Sequence, residues 1–375
     1  MEYIMLKDVC DINMGQSPDS SSYNDDGDGL PFFQGNADFG ERYPVARKWC
    51  SVPTKIAKPE DILISVRAPI GALNYAREKC CIGRGLAALT PDKSKVSPEF
   101  IFWLLKAKNI ELNSKGTGST FKAIGRNVLE ETQVPNVPLT VQSEYSQVLE
   151  RIYAIIQSHK MQLQKLDDLV KARFVELFGT ETELDKWHCG TVSDVADVCV
   201  GVVIKPTQYY TDIGIPAFRS LNIGEMCVKD ADWVYFTEEG HRRNQKSVVR
   251  KNDVLVVRSG APGTACVASE KYAGYNAVDI IIAHPDNNKV NSVFLAAFTN
   301  MPHGMNQIRA KTGGAAQQHF NVGGYKAMRL IMPPIELQEQ FAAFVEQTDK
   351  SKAAVQKALD EAQLLFDSLM QKYFG

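Results

Sequence analysis

The sequence predicts an α+β chain: two similar strand-rich domains joined by two long antiparallel helices, the halves related by a pseudo-twofold internal repeat. Three observations carry this reading. Sequence patterns recur in the same order in both halves. Each half opens with short β-type runs bounded by turn residues, such as DILISV and ALNYA in the first and DVLVVR and AVDIIIA in the second. Each half closes on about 38 residues in which apolar positions recur every three or four.

The repeat sets the organisation. LKDVCDINMG at 6–15 matches VSDVADVCVG at 192–201, placing Asp8, Asp11 and Gly15 against Asp194, Asp197 and Gly201 at an offset of 186. GLPFF at 29–33 matches GIPAF at 214–218 at 185, and DILISVRAPIG at 61–71 matches DVLVVRSGAPG at 253–263 at 192. PLTVQSEYSQVLE at 138–150 matches PIELQEQFAAFVE at 334–346 at 196, as does ELFG at 176–179 with KYFG at 372–375. The order is kept while the offset grows, as loop insertions in the second copy require. Domains are therefore expected at 1–138 and 180–334, with long helices at 139–179 and 335–375. Shorter helices are expected around 98–112 and 291–308.

In the first long helix the seam runs Val141, Tyr145, Val148, Ile152, Ile155, His159, Leu163, Leu166, Val170, Phe174 and Leu177. In the second it runs Leu337, Phe341, Phe344, Thr348, Ser351, Val355, Leu359, Ala362, Phe366, Leu369 and Tyr373. Pro135 and Pro138 precede the first start, Pro333 and Pro334 the second, and Gly179 and Gly375 stand at the ends. About 38 residues make a rod of roughly 57 Å, too long for one small domain to cover. Two such rods can cover each other, antiparallel if the copies obey a twofold. The step through Ile155, His159 and Leu163 departs from a heptad and predicts local unwinding.

Composition narrows the function. Apolar residues at 44% and charged residues at 23% exclude wholesale disorder. Apolar runs such as FIFWLL at 100–105 fall far short of the roughly 20 residues that cross a bilayer, and the start lacks a signal-peptide pattern, so the cytoplasm is expected. The eight cysteines form no CxxC, which points to unpaired thiols in a reducing compartment. The net charge of −2 hides two basic blocks. Arg42 to Lys122 holds 15 Lys/Arg against 6 Asp/Glu, and Arg242 to Arg329 holds 12 against 4. Such blocks suit a polyanion met by one face.

Catalytic signatures are missing: no GxxxxGK[ST], GxGxxG, HExxH or GxSxG occurs. GTGST at 116–120 lacks the phosphate-loop lysine, and Met332 in MPPIEL cannot accept a hydrogen bond as an amino-methyltransferase motif requires. The six histidines are scattered. No catalytic residue and no metal ligand is assigned.

The two-copy arrangement, with PLTVQSEYSQVLE and PPIELQEQF opening long helices and DILISVRAPIG and DVLVVRSGAPG inside strand-rich domains, resembles the specificity subunit of type I restriction–modification systems. GQSPDSSSYNDDGDGLPFFQGNADFG at 15–40 looks like the start of one of that family's target recognition domains. The resemblance covers essentially the whole chain. It implies two target recognition domains, each reading one half of a split site in double-stranded DNA, and helices that act as spacer and as docking platform for two methyltransferase subunits. It further implies that S-adenosylmethionine, ATP and magnesium belong to partner subunits, including a motor/nuclease subunit, and that this chain carries no cofactor.

Phosphates are met by Lys and Arg, while base edges need Arg, Asn, Gln, Ser or Thr at fixed places. In the first copy the candidates are Gln34, Asn36, Arg42, Arg47, Lys48, Arg67, Arg84, Lys115, Lys122 and Arg126. In the second they are Arg219, Asn222, Arg242, Arg243, Asn244, Lys246, Arg258, Lys311, Gln317, Gln318 and Asn321. Gln34 and Arg219 occupy one aligned position; glutamine favours adenine and arginine guanine, as two different half-sites demand. Readers one helical turn apart, together with the resemblance, predict a gap of about five to eight unread base pairs. The competing readings are the specificity subunit of a related, type IIB-like modification/restriction enzyme, a fused restriction or modification enzyme that retains its own catalysis, and a repeat scaffold that does not touch DNA.

Overall fold

The computed structural model describes residues 2–118, 122–312 and 319–375. The chain divides into two compact units, Met1–Lys160 with Gln356–Gly375, and Met161–Val355.

In the first unit the strands Cys10–Met14, Leu86–Pro91, Ile62–Ser65 and Leu73–Tyr75 form an antiparallel sheet in that order. Its central strand is covered on both faces, which is why its sequence reads as a continuous apolar run. Ile62 and Ile64 point into one core with Phe100, Ile101 and Leu104 of the helix Pro98–Ala107, while Leu63 points into another with Phe33, Ala57 and Ile82. The helix starts where Ser97 Oγ accepts the Phe100 amide at 3.1 Å, with Pro98 as its first residue. A smaller sheet pairs Leu30–Phe33 in parallel with Cys80–Ile82.

The second unit repeats this order with Ala196–Val200, Ile280–Pro285, Val254–Val257 and Ala265–Val267. Val254 and Val256 enter one core and Leu255 and Val257 the other. Asn291 caps the helix Ser292–Asn300 through the Val293 amide at 2.9 Å, and Ile215–Phe218 pairs in parallel with Asn276–Ala277.

The long helices are Leu139–Phe178 and Ile335–Phe374. Each unit holds one part of both, and within each unit the parts run in opposite directions. In the first, Tyr145 stacks on Tyr373 and Tyr153 lies beside Phe366. In the second, Asp167 pairs with Lys352 at 2.6 Å and Phe174 meets Phe341 edge-on with centroids 5.4 Å apart.

The seam differs in detail from the sequence reading. Ile155 is 48% exposed and its neighbour Ile156 is buried; Val148 is half-buried and Leu149 fully buried. The covered stripe of the first unit runs Gln142, Ser146, Leu149, Ile152 and Ile156, and in the second unit Val345 and Thr348 lie deeper than Phe344. A 3.6-residue period advances about 100° per residue, so a seam traced through half-buried neighbours drifts off the covered face. The helix runs unbroken through His159.

Two buried glutamines anchor the helix starts. Gln142 Oε1 accepts the Ser97 amide at 2.9 Å, and its Nε2 donates to the Val137 and Lys95 carbonyls. Gln338, 196 residues later, accepts the Asn291 amide at 2.9 Å and donates to the Pro333 carbonyl. Among the described residues, no helix is long and apolar enough to cross a membrane.

Candidate nucleic-acid interface

In the first unit, backbone hydrogen bonds lay four segments side by side. The Gly83 amide donates to Phe33, Gly85 to Gln34, Val66 to Gly85 and Ala68 to Lys122. This edge therefore brings together Gln34, Arg84, Arg67 and Lys122, all exposed. The turn after Phe33 is tied by Asp38, whose Oδ2 accepts the Gln34 amide at 2.7 Å, leaving the Gln34 side chain outward. Gly85 has to be glycine here, since a Cβ would come within 2.3 Å of the Gln34 carbonyl. Asn36 is half-buried in the same turn, and Arg47 and Lys48 are exposed beside it, the Lys48 carbonyl accepting from Phe32. Lys115 and Arg126 are exposed but paired within their own helices, with Glu111 and Glu130.

The second unit builds the same edge from Phe218–Arg219, Val278–Asp279, Arg258–Ser259 and His319–Phe320. Asn222 Oδ1 accepts the Arg219 amide at 2.9 Å, as Asp38 does for Gln34. The Arg219 guanidinium donates to the Asp232 carbonyl, and its Nε is buried without a partner among the described residues. Arg242, Arg243 and Lys246 are exposed, Arg243 next to Glu239. Asn244 donates to Gly240, Lys311 to the Gly324 carbonyl at 2.9 Å, and Asn321 accepts the Gly324 amide. Gln317 and Gln318 lie outside the described residues.

Three candidates are corrected. Asn222 is fully buried, its amide spent on the Ala231 carbonyl at 2.7 Å, so it shapes the loop instead of facing a ligand. Arg258 is buried, donating to Asp279 at 2.7 Å, to the Phe320 carbonyl and to His319. Arg42 pairs with Glu150 and lies about 5 Å from the rings of Phe102, Trp103 and Tyr153. A guanidinium in such a box is a packing element. The related corner of the second unit has Met226, Ala297 and Asp349, and a cavity of about 240 Å³ opens there.

Sequence reading missed Ser259 and His319. Arginine can only donate, so His319 Nε2 accepts from Arg258 and Nδ1–H donates to Ser259 Oγ. Ser259 aligns with Arg67 in the repeat, which is the signal that could have found it; His319 follows a stretch too divergent to align.

Residues 1–167 and 185–363 match the model of the type I restriction modification DNA specificity domain. The chain belongs to this family. The MjaX specificity subunit of Methanocaldococcus jannaschii is 42% identical over 160 residues, a match covering 43% of this chain and 38% of that protein. The type I restriction enzyme EcoBI specificity subunit of Escherichia coli is 21% identical over 412 aligned residues, covering 99% of this chain and 85% of that one. Among solved structures, the type I restriction-modification S subunit from M. genitalium shares the fold, with a TM-score of 0.60 at 15% identity over 100% of this chain and 96% of that chain.

Proposed function

We propose that this chain is the DNA-specificity subunit of a type I restriction–modification complex in the cytoplasm, each domain reading one half of a bipartite double-stranded site. The observation that carries the reading is one edge built twice with different side chains. Gln34 and Arg67 stand in the first unit where Arg219 and Ser259 stand in the second. An identical frame with divergent tips is what two half-sites of unlike sequence require, Lys and Arg meeting phosphate and Gln34 and Arg219 meeting base edges.

The long helices set the spacing of the half-sites and dock two methyltransferase subunits, with restriction subunits joining the complex. The chain itself is non-catalytic, and S-adenosylmethionine, ATP and magnesium are bound by its partners. The test is to map methylated adenines in cells with and without the gene. A bipartite motif with about five to eight unread base pairs is expected, and a four-residue insertion in either long helix should lengthen that gap. A continuous motif, or a gap unchanged by the insertion, overturns the reading.

A further inference from the structure

At three related positions of the main sheet the two copies carry different chemistry. In the first unit, Thr90 Oγ1 donates to Asp61 Oδ1 at 2.7 Å, Asp61 Oδ2 accepts the Lys58 amide, and Asn13 Nδ2 donates to the Ile56 carbonyl at 2.9 Å. All of these are inert hydrogen bonds. Strand register places Asp11 opposite Thr90 in the first unit and Asp197 opposite His284 in the second. His284 therefore stands where Thr90 stands, Asp253 where Asp61 stands, and Cys199 where Asn13 stands.

The frame around them is kept. Asp253 Oδ2 accepts the Arg250 amide at 2.6 Å, as Asp61 accepts that of Lys58. Asp253 Oδ1 holds His284 Nδ1 at 2.6 Å, the opposite ring nitrogen lies 3.7 Å from Cys199 Sγ, and that sulfur donates to the Lys246 carbonyl at 3.2 Å. A buried carboxylate thus orients an imidazole, and the imidazole addresses a half-exposed thiol. This is the connectivity that activates a nucleophilic cysteine.

We propose that Cys199, His284 and Asp253 form a reactive-thiol site, present in the second copy alone and oxidisable by hydrogen peroxide. The Cys199 thiol gives up its hydrogen bond to Lys246 and releases its proton to solvent, and the thiolate, paired with the His284 imidazolium, attacks one peroxide oxygen; an S–O bond forms as the O–O bond breaks. Sulfur is oxidised by two electrons and peroxide is reduced. The departing hydroxide takes the Nε2 proton of the His284 imidazolium and leaves as water, so a sulfenic acid remains beside a neutral imidazole. The hydrogen bonds to Asp253 and Cys199 raise His284 to about 9, which supplies that proton at neutral pH. Burial pushes the Cys10, Cys80 and Cys266 thiols up to about 12, so they do not compete.

The full chain is treated at pH 7 with dilute hydrogen peroxide and a sulfenic-acid trap, and labelled peptides are quantified by mass spectrometry. Cys199 is expected to label at least tenfold faster than the exposed Cys227. His284→Thr, which restores the Thr–Asp bond already present in the first copy, is expected to slow Cys199 at least tenfold and leave Cys227 unchanged. Cys199 labelling no faster than Cys227 in the native chain, or equally fast in native and His284→Thr chains, overturns the proposal. The native comparison stands even if the variant folds poorly.

Discussion

Tyr145 stacks face to face on Tyr373, ring centroids 3.8 Å apart and planes 5° from parallel. The pair joins the start of one long helix to the end of the other inside the first unit, and Phe374 beside it reaches Phe100 of the domain core. Tyr373→Ala removes a nearly buried ring from this closure. A loss of about 3 kcal/mol in urea unfolding of the first unit is expected. An unchanged midpoint would show that the helix pair does not close the unit.

Gln142 and Gln338 predict a matched pair of effects. Truncating either to Ala leaves a buried backbone amide, that of Ser97 or Asn291, without its acceptor. Each variant should lose about 1–3 kcal/mol, measured by denaturant titration, and the affected unit should differ between them. Replacement by Glu restores the acceptor but not the donors, so it should recover part of the loss only.

His284 makes stability depend on pH. Its ordinary value near 6.5 rises to about 9 in the folded chain through Asp253 first and Cys199 next, with Asp197 directly across the strand pair. A raised folded value favours the protonated fold, so the contribution is complete below about 6.5 and is lost as pH climbs through 9. Thermal melts of the native chain should fall across that window relative to His284→Thr, by a difference of about 2 kcal/mol. Parallel curves for the two chains would remove the ion pair from the account.

The proposed DNA contacts separate into two kinds. Arg67→Ala, Arg84→Ala and Lys122→Ala should weaken binding to every sequence alike, each lowering the slope of log affinity against log salt by about 0.9. Gln34→Ala and Arg219→Ala should instead cost about 1–3 kcal/mol against the cognate base of one half-site and leave the other half unchanged. Competition assays with DNA altered in one half at a time read both effects. Asn222→Ala should act through stability, since the side chain is buried.

Much of the architecture was legible because a repeat is legible: aligned Asp8 and Asp194, or Gly15 and Gly201, fix equivalent places without any contact being known. The long helices announced themselves through period. Their covered faces were harder to trace, because Ile155 and Ile156 are chemically alike and only packing shows that the second is inside. The sites were least legible. Arg42 and Arg258 are basic residues in basic segments, yet Glu150 with its aromatic neighbours in one case and Asp279 in the other claim them, and those partners lie far away in sequence. Asn222 looks like a base reader by type and is a loop tie by location. The Cys199, His284 and Asp253 group comes from three separate strands or their ends, so no spacing rule could have joined them.

The first unit is completed by residues 356–375, which arrive after the whole of the second has been made. Until then Leu149, Ile152 and Ile156 lack part of their cover, and Trp103 lacks Phe366. A growing chain on the ribosome can therefore finish its later half before its earlier one. Premature termination within the last helix would leave a well-formed second half tethered to a sticky, unfinished first, a species prone to clump or be degraded.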